Sequence, residues 1–521
     1  MTTVPVLADR RHLLAFAAGC IAVTIGVLLH VPMFWMGRHD GFRLAGMPMA
    51  WDMWLGMALI VAGCGVAAWS LVPRRHAVEE PHRLHVSAPE EAPLGRAHRR
   101  LMLVLTVALV IDVMKPASLG FVMPGMRAEY GVSKATVAWL PFAALCGTVV
   151  GSLVWGWLAD LYGRRATILL SAVMFVGTSI CGAMPSLWWN VGMCFMMGAA
   201  AGGMLPVTYA LLAETMPSLH RGWVLVLVGG LGSAGGYLAA SGFAWWLEPI
   251  FSWRILWFLN LPSGLILVLL NPMIPESPNF LVRIGRVHEA MRTLQRFGCV
   301  VSDEGPAPPL RPLRVREAPR LLHVTWALSL TALAWGLINF GLVLWMPANL
   351  VAQGYPMAAT SRLLASSALV ALPTVFVAAW LYSVWSSKGA LLAAIGLTAV
   401  GLVGLILLEL HLIDVGPVPV VALLIVGING IIAMLLPYAA ESYPLAVRGR
   451  ATGWIAACTK AGGLASQLFG LFGFMPTLVL GSAAILVPLL AALALVALYC
   501  IDTRGRDLRE VDVAHEPVAW E

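Results

Sequence analysis

The chain has 521 residues, of which 60% are hydrophobic and only 11% are charged, and its formal net charge is +7. Long stretches with almost no charge exclude a water-soluble protein. They are about twice as long as the alternating ten-residue segments of a membrane β-barrel, so the sequence predicts an all-α membrane protein.

About fourteen apolar stretches follow one another, each long enough to cross a bilayer as a helix. Two leading spans come first, near residues 13–35 and 51–72. Twelve body spans, numbered here in chain order, lie near 101–126, 137–159, 166–187, 189–213, 223–247, 254–272, 322–348, 360–385, 389–410, 417–438, 451–472 and 474–500. The breaks at 187–189 and 472–474 are short, and the sequence marks them only weakly.

Basic residues are concentrated in a few loops, which lie on one side together with both termini if the number of spans is even. These arginine-rich loops hold Arg74, Arg75, Arg83, Arg96, Arg99, Arg100, Arg164, Arg165, the arginines from Arg283 to Arg320, Arg448, Arg450, Arg504, Arg506 and Arg509. Arg38, Arg43, Arg127 and Lys134 fall on the other face and are the minority. The pattern predicts an inner (plasma) membrane protein with cytoplasmic termini, not a nucleic-acid-binding protein.

These spans and loops divide the chain into five parts. Residues 1–98 form a two-helix membrane extension with a polar linker, and 99–272 an N-terminal six-helix bundle. Residues 273–320 form a cytoplasmic loop, 321–502 a C-terminal six-helix bundle, and 503–521 a cytoplasmic tail. The eight cysteines form no C-x-x-C pair or ligand cluster, and no nucleotide-binding or phosphate-loop motif is present. We therefore expect no metal site, no cofactor and no enzyme.

One charged signature occurs twice: Glu-x-x-Pro, followed four residues after the proline by Arg-Gly. The copies are Glu214, Pro217, Arg221 and Gly222 after body span 4, and Glu441, Pro444, Arg448 and Gly449 after body span 10. Two fused copies of one membrane unit are the architecture of many secondary transporters.

The loop after body span 2 reads Gly-Trp-Leu-Ala-Asp-Leu-Tyr-Gly-Arg-Arg, from Gly156 to Arg165. Gly156 permits close helix contact, Asp160 can hold a helix N-terminus or an arginine, and Gly163 allows a tight turn before Arg164. This string resembles the signature loop of the major facilitator superfamily. In the second half, Ser386 replaces the acid although Gly389 is kept, so this copy is degraded.

The resemblance implies gating by Asp160, Gly163, Arg164 and Arg165 together with two acid–arginine pairs, Glu214 with Arg221 and Glu441 with Arg448. In that family such pairs lock the two bundles in the outward-facing state and break as the protein opens inward. The alternative is that they only anchor helix ends at the headgroups.

Further strings resemble the branch of sugar porters, nicotinate and aromatic-acid symporters and organic-ion transporters: Pro275–Pro278, Asp502–Gly505, and Phe340 with Trp345. Departures from the motifs of this branch narrow the class of substrate. Body spans 5 and 7 lack the sugar-porter glutamines, which disfavours a hexose. Cys194 replaces an arginine linked to proton coupling, so coupling stays open. Body span 5 also lacks the proline of drug/proton antiporters.

Two of the four lysines, Lys115 and Lys460, lie within body spans 1 and 11, and Asp112 precedes Lys115 by three residues on one helix face. A charged group at mid-membrane costs about 2.5–3.5 kcal/mol, so such residues normally face a cavity and a partner. We predict that both lysines attract a carboxylate substrate, with Gly462 and Gly463 leaving room beside Lys460. Nicotinate and aromatic-acid transporters, which this chain resembles, carry a second acid at the position of Lys115. Lys460 resembles an arginine in body span 11 of the same relatives. The alternative is a neutralised Asp112–Lys115 pair that only packs the bundle.

Pro116 removes the backbone hydrogen bond to the carbonyl of Asp112, so we expect a bend in body span 1. Trp335 and Asn339, four residues apart in body span 7, and Tyr237 in body span 5 are the remaining candidate substrate-binding residues. Each could stack on a substrate or hydrogen-bond to it, or belong to the core.

Together these features predict a major facilitator fold: two pseudo-symmetric six-helix bundles plus two extra N-terminal transmembrane helices. The predicted function is secondary active transport of a small organic anion such as a carboxylate, by alternating access in a monomer. Its partners are then the small-molecule substrate, protons if transport is coupled, and the lipid bilayer. The alternatives are a drug/proton efflux transporter, or a non-transporting sensor on a transporter scaffold.

Overall fold

The computed structural model describes residues 10–71, 85–87, 94–202, 204–284, 286–298, 300–302, 318–443, 445–473 and 477–503. Within these ranges eleven helices are long and apolar enough to cross a membrane. Two shorter apolar helical segments, Leu187–Ala201 and Ile255–Leu270, accompany them. The protein is therefore a multi-pass helical membrane protein.

The α-helices fall into three groups along the chain. The extension contains α1 (Arg10–Leu28), α2 (Val31–Met36) and α3 (Trp51–Ser70). The N-terminal half contains α4 (Arg96–Tyr130), α5 (Lys134–Val137), α6 (Trp139–Tyr162), α7 (Arg164–Gly177), α8 (Leu187–Ala201), α9 (Met204–Thr215), α10 (Ser218–Phe251), α11 (Ile255–Phe258) and α12 (Asn260–Leu270), followed by the loop helices α13 (Pro278–Arg283) and α14 (Val287–Arg296). The C-terminal half contains α15 (Ala318–Gly336), α16 (Met346–Ala352), α17 (Met357–Ala371), α18 (Thr374–Trp380), α19 (Ser387–Glu409), α20 (Pro417–Ser442), α21 (Leu445–Leu471) and α22 (Leu478–Tyr499).

Five short segments have other helical geometry. They are the 3₁₀ turns Gly37–Asp40, Thr178–Ala183 and Asn271–Met273 and the π-helical segments Leu337–Val343 and Leu381–Trp385. The first π segment continues α15 and the second continues α18, so body spans 7 and 8 both change winding. Short π segments inside membrane helices frequently mark functional sites.

The predicted spans correspond to these helices, with three differences. Body span 4 is two helices, α8 and α9, rather than one. The first weak break lies at 184–186, between the Thr178–Ala183 turn and α8. The predicted linker and cytoplasmic loop also pair with each other: β1 (His85–Ser87) lies antiparallel to β2 (Val300–Ser302). Sequence reasoning expected no strand, because three-residue segments carry too little periodicity to reveal one.

The extension is a close-packed antiparallel hairpin of α1 and α3 held by four glycines. A Cβ on Gly19 would lie 2.7 Å from the carbonyl oxygen of Gly63, and the reverse contact has the same length. Gly26 and Gly56 repeat the arrangement at 2.6 Å in both directions. The two glycines of each helix are seven residues apart, so both contacts lie on one face of that helix. Any larger side chain there would push the helices apart.

This hairpin packs on the outside of the N-terminal half. A Cβ on Gly177 of α7 would lie 2.8 Å from the side chain of Ile60 on α3. One hydrophobic cluster joins Val23 of α1 to Val173 and Val176 of α7. The extension is thus built onto the N-terminal half, within the described residues, and does not bridge the two halves.

Glycines also bring body spans 2 and 4 together. Gly147 and Gly151 of α6 face the backbone of α8 at Phe195 and Ala199, where a Cβ would collide with carbonyl oxygens. Gly156, which we predicted to permit a close helix contact, has nothing within 4 Å of its would-be Cβ. That prediction was wrong: the close contact lies one to two turns earlier, and Gly156 faces open space.

The two halves meet along α10, which contacts the C-terminal half through α17, α18 and α20. Near the middle of the interface Ser233 Oγ donates a hydrogen bond to Asn429 Oδ1 at 2.7 Å. We call the end of the molecule that holds Arg100 and Arg164 the arginine-rich face, and the end that holds Arg127 and Lys134 the opposite face.

Candidate functional site

The loop that resembles the superfamily signature holds a buried carboxylate. Gly163 has φ +93°, and a Cβ there would lie 2.5 Å from Glu276 Oε2. Glu276 accepts hydrogen bonds from the backbone N–H groups of Arg164 (2.7 Å) and Arg165 (3.3 Å). Glu276 therefore caps the start of α7, where the helix dipole favours a negative charge, and only glycine fits the turn beside it.

Glu276 is almost fully buried, which affects its charge. Burial raises its pKa to about 6, while the N–H groups of Ser277, Arg164 and Arg165 and the charge of Arg164 act in the opposite direction. The carboxylate that ties the end of body span 6 to the start of body span 3 thus titrates near neutral pH.

The second half repeats this arrangement with other residues. Asp502, just after α22, accepts hydrogen bonds from the N–H of Ser387 (2.9 Å) and from its hydroxyl (2.6 Å). Ser386 Oγ accepts from the N–H of Gly389 and caps α19. The copy that looked degraded in sequence therefore keeps a capped helix start, in which Asp502 corresponds to Glu276, while Ser386 stands where the first half has Asp160.

Glu441 connects the two halves at the arginine-rich face. Its Oε2 accepts hydrogen bonds from the hydroxyls of Tyr382 and Thr503, each at 2.7 Å. A Cβ on Gly222, in the N-terminal half, would lie 3.0 Å from Glu441 Oε1, and Arg221 interacts with Glu441 electrostatically.

Arg221 of the first copy therefore faces Glu441 of the second copy, across the two halves. Sequence spacing could not show this, because it reveals that a motif is repeated but not which copies meet. The side chains of Glu214, Arg448 and Asp160 lie outside the described part of the structure.

At the centre of the interface an acid of one half faces a cation of the other. Asp112 on α4 interacts electrostatically with Lys460 on α21 and with Lys115. Lys460 Nζ lies 5.5 Å from the centroid of the Phe340 ring, in the π-helical segment of body span 7. Asp112 is 9% exposed and has no hydrogen-bond partner among the described residues. The site thus contains opposite charges on the two parts that rock against each other.

Lys115 is buried next to helix α7 of the N-terminal half. Its Nζ lies over the ring of Phe175 on α7, inside the N-terminal half, and has no hydrogen-bond partner among the described residues. Lys115 is 1% exposed and interacts electrostatically with Asp112.

The three other candidate residues differ in whether their polar side-chain groups already have a hydrogen-bond partner. Trp335 donates its indole N–H to the carbonyl of Ile428 at 2.9 Å, so that donor is already used to hold body span 7 to body span 10. Asn339 lies in the π segment, half-buried, with no side-chain partner among the described residues. The buried hydroxyl of Tyr237 also lacks a described partner, and its ring is 6.1 Å from that of Phe121.

The space predicted at Gly462 and Gly463 is occupied by protein. Gly462 lies against the backbone carbonyl of Leu333, and a Cβ on Gly463 would lie 2.7 Å from the Phe340 ring. These glycines bring α21 close to body span 7 rather than widening a cavity, so that expectation was wrong. Their effect is to hold the Phe340 ring near Lys460.

Sequence reasoning missed two polar groups at the interface. Ser233 and Asn429 bond across the halves, and Asn429 Nδ2 is buried without a described partner. Glu248, near the outer end of α10, also has a buried carboxylate oxygen without one. An acid or amide within an apolar span indicates a functional site. Asn429 is a single amide in a glycine-rich helix, so this signal is weak in the sequence.

A chain of this kind, with two helical halves in contact, opposite charges across their interface and capped loops on one face, is a membrane transporter rather than an enzyme. A model of the Major Facilitator Superfamily matches residues 101–467. The chain belongs to this superfamily, as the sequence predicted.

Individual relatives are named as transporters. The niacin transporter NiaP of Acinetobacter baylyi is 27% identical over 395 residues, 74% of this chain and 89% of that protein. The 4-hydroxybenzoate transporter PcaK of the same species is 30% identical over 210 residues, 39% of this chain and 45% of that protein.

Among solved structures, the xylose transporter XylE from E. coli, partially occluded and inward-open, aligns with a TM-score of 0.61 at 15% identity, over 78% of this chain and 99% of that one. At this identity the structural similarity shows the fold alone.

Proposed function

We propose that this protein transports small ring-bearing monocarboxylates across the membrane by alternating access. Lys460 binds the carboxylate, and the Phe340 ring holds the ammonium group on one side. Asn339, Tyr237 and Asn429 supply polar contacts to the rest of the substrate.

The observation that carries this proposal is the cross-interface pair of Asp112 and Lys460. A cation within a membrane protein needs a negative partner, and here the protein's own acid supplies it across a movable interface. A substrate carboxylate that replaces Asp112 as the partner of Lys460 weakens the attraction between the halves and favours their movement. Differential stabilisation of one conformation is what couples binding to transport.

The relatives support the substrate class. Niacin and 4-hydroxybenzoate, for which the two relatives are named, are both flat rings with one carboxylate. The XylE similarity does not argue for a sugar, since body spans 5 and 7 of this chain contain no glutamine between 224–236 and 329–340.

Uptake of radiolabelled nicotinate, 4-hydroxybenzoate and xylose into proteoliposomes tests the proposal. We expect uptake of the acids but not of xylose, and a rise in KM of about 10- to 100-fold for Lys460→Ala, the loss of a hydrogen bond to a charged group. Lys388→Ala is the matched control, because Lys388 is exposed and donates to the carbonyl of Ala497. Equal uptake by Lys460→Ala and the wild type would refute the role of Lys460.

Asp112 has two proposed roles, proton exchange or simple charge balance with Lys115. Asp112→Asn separates them. If Asp112 carries the coupling proton, this variant loses accumulation driven by a pH gradient but keeps exchange of internal for external substrate. If Asp112 only balances charge, both activities fall together.

We further propose that the protein is a monomer in the inner membrane, with both termini and the arginine-rich face in the cytoplasm. The arginine-rich loops support this orientation through the positive-inside rule. Labelling of single cysteines by an impermeant reagent tests it: Ala352→Cys should react from outside intact cells, and Arg286→Cys only after lysis.

The proteoliposome assay also tests the two alternative functions, drug export and sensing. A sensor shows no flux, and a drug exporter carries dyes instead of the acids.

A further inference from the structure

A cavity of about 510 Å³ opens between the two halves near the opposite face. Its walls come from both halves: Met123 and Arg127 on α4 and Lys134 on α5 form one side, and Trp345 and Ala352, next to and on α16, form the other. Asp112, Lys115 and Lys460 do not line it. The cavity is thus separate from the candidate site at the interface centre.

Two cations stand at this cavity without a compensating charge. Arg127 is exposed and Lys134 half-exposed, and neither has an ion pair or side-chain hydrogen bond with any described residue. The nearby acid Glu129 is already committed to Arg254 at 2.6 Å. Both cations also lie on the face where the charge distribution of this chain otherwise avoids basic residues.

The aromatic wall of the cavity is connected to the deeper site. Trp345 donates its indole N–H to Gln467 Oε1 at 3.1 Å, and Gln467 Nε2 donates to the carbonyl of Phe340 at 2.6 Å. The ring of Phe340 is the one that faces Lys460. A continuous set of contacts therefore runs from the cavity wall to the proposed carboxylate-binding lysine.

A tight contact closes the inner end of the cavity. A Cβ on Gly120, one turn before Met123, would lie 2.6 Å from the carbonyl oxygen of Leu344, the residue before Trp345. The halves therefore touch backbone to backbone just below the cavity. The cavity is an outer chamber that ends at this contact, and its walls separate when the halves rock apart.

We propose that this chamber is an outer binding site that captures organic monocarboxylates before they reach Lys460. Arg127 and Lys134 attract the carboxylate, and the Trp345 ring and Met123 contact the apolar ring of the ligand. The inference rests on the proposed function for the identity of the ligand, but the anion preference of the chamber can be tested without transport.

The test uses Ala352→Cys, which places a thiol on the chamber wall, in membrane vesicles. We compare its rates of modification by a sulfonate-bearing and a trimethylammonium-bearing methanethiosulfonate reagent. Replacing Arg127 and Lys134 together by Gln should lower the ratio of anionic to cationic rates about fivefold, because two positive charges that line the same chamber as the thiol are lost. Arg43→Gln, an exposed cation on the same face but outside the chamber, should leave the ratio unchanged.

A ligand arm and a transport arm complete the experiment. Nicotinate or 4-hydroxybenzoate should slow modification of Ala352→Cys in the parent but not in the double Gln variant, whose melting temperature should equal that of the parent. In proteoliposomes the double variant should raise KM for these acids several-fold without changing maximal velocity.

The outcomes separate the two proposals. An unchanged reagent ratio, or equal protection in the double variant, overturns the outer site even if the wild type takes up the acids. A lowered ratio with ligand protection, but without uptake of either acid, supports the outer site and overturns the proposed transport function.

Discussion

Besides its apolar packing on α7, the extension is tied to the body by a buried carboxylate, Glu129, and removing the charge of Glu129 is the most direct perturbation of this contact. Glu129 Oε1 accepts hydrogen bonds from Arg254 (2.6 Å) and from the backbone N–H groups of Leu44 (2.7 Å) and Ala45 (3.1 Å) in the extension loop. Its Oε2 accepts from the indole N–H of Trp253. Glu129→Gln keeps the size of the side chain but supplies only one acceptor oxygen.

The size of the effect follows from burial. The side chains of Arg254 and Glu129 are 0% and 5% exposed. Arg254 keeps hydrogen bonds to the carbonyls of Gly182 and Met184 but loses its only described counter-charge. Leaving one partner of a buried ion pair uncompensated costs about 3–5 kcal/mol. For a chain of this length that corresponds to a melting temperature lower by about 3–5 °C, if unfolding is cooperative.

Thermal unfolding in detergent, followed by tryptophan fluorescence, measures the global effect. Hydrogen exchange over residues 41–50 measures whether the loop is released, because the N–H groups of Leu44 and Ala45 lose a charged acceptor. The matched control is Glu409→Gln, whose exposed carboxylate receives only the amide of Gln353 and should cost under about 1 kcal/mol. If Glu129→Gln melts like the wild type and its loop exchanges no faster, the extension is not held by this carboxylate.

Three further predictions concern the contact between the halves at Gly120 and the loop that contains Gly163 and Glu276. Gly120→Val places a side chain against the Leu344 carbonyl, so the outer contact cannot close. A clash of about 1.4 kcal/mol or more lowers the population of the closed state at least about tenfold, and uptake should fall by the same factor. Gly163→Ala forces a Cβ into a backbone conformation with φ +93°, which should destabilise the protein by about 1–2 kcal/mol in thermal unfolding. Burial raises the Glu276 pKa from 4.5 to about 6, so the contribution of this carboxyl group to stability is complete below pH 4.5 and is lost as the pH rises through 6. The Glu276→Gln variant should therefore gain about 2 kcal/mol on the wild type between pH 4 and pH 7.

Each of these has a control in the same chain. Gly242→Val adds a side chain to a helix position with nothing within 4 Å and should transport normally. Gly156→Ala lies in the same loop motif as Gly163 but also faces open space, so it should be neutral. A Gly120→Val variant with wild-type uptake would mean that the outer contact is not a gate. A constant difference between Glu276→Gln and the wild type across pH would mean that Glu276 stays charged.

Much of the fold follows from local information. The apolar spans, their approximate ends and the repeat of Glu-x-x-Pro followed by Arg-Gly are properties of short windows, and hydrocarbon of fixed thickness requires helices of about that length. The loop from Gly156 to Arg165 was recognisable for the same reason. The heptad-spaced glycines of the extension, Gly19 with Gly26 and Gly56 with Gly63, were also visible in the sequence as a pattern, although only the structure shows that they meet.

The sequence by itself determined that this is a helical membrane protein of two matched halves, and which residues place charge inside the membrane. Tertiary structure alone decided what those residues touch: that Lys115 lies against Phe175, that Arg221 faces Glu441 of the other half, and that Asp502 caps a helix in the second half as Glu276 does in the first. The physical reason is that helix formation depends on neighbours three or four residues away. The partner of a buried charge, by contrast, depends on how separate helices pack, and side chains of four or five bonds can reach more than one of them.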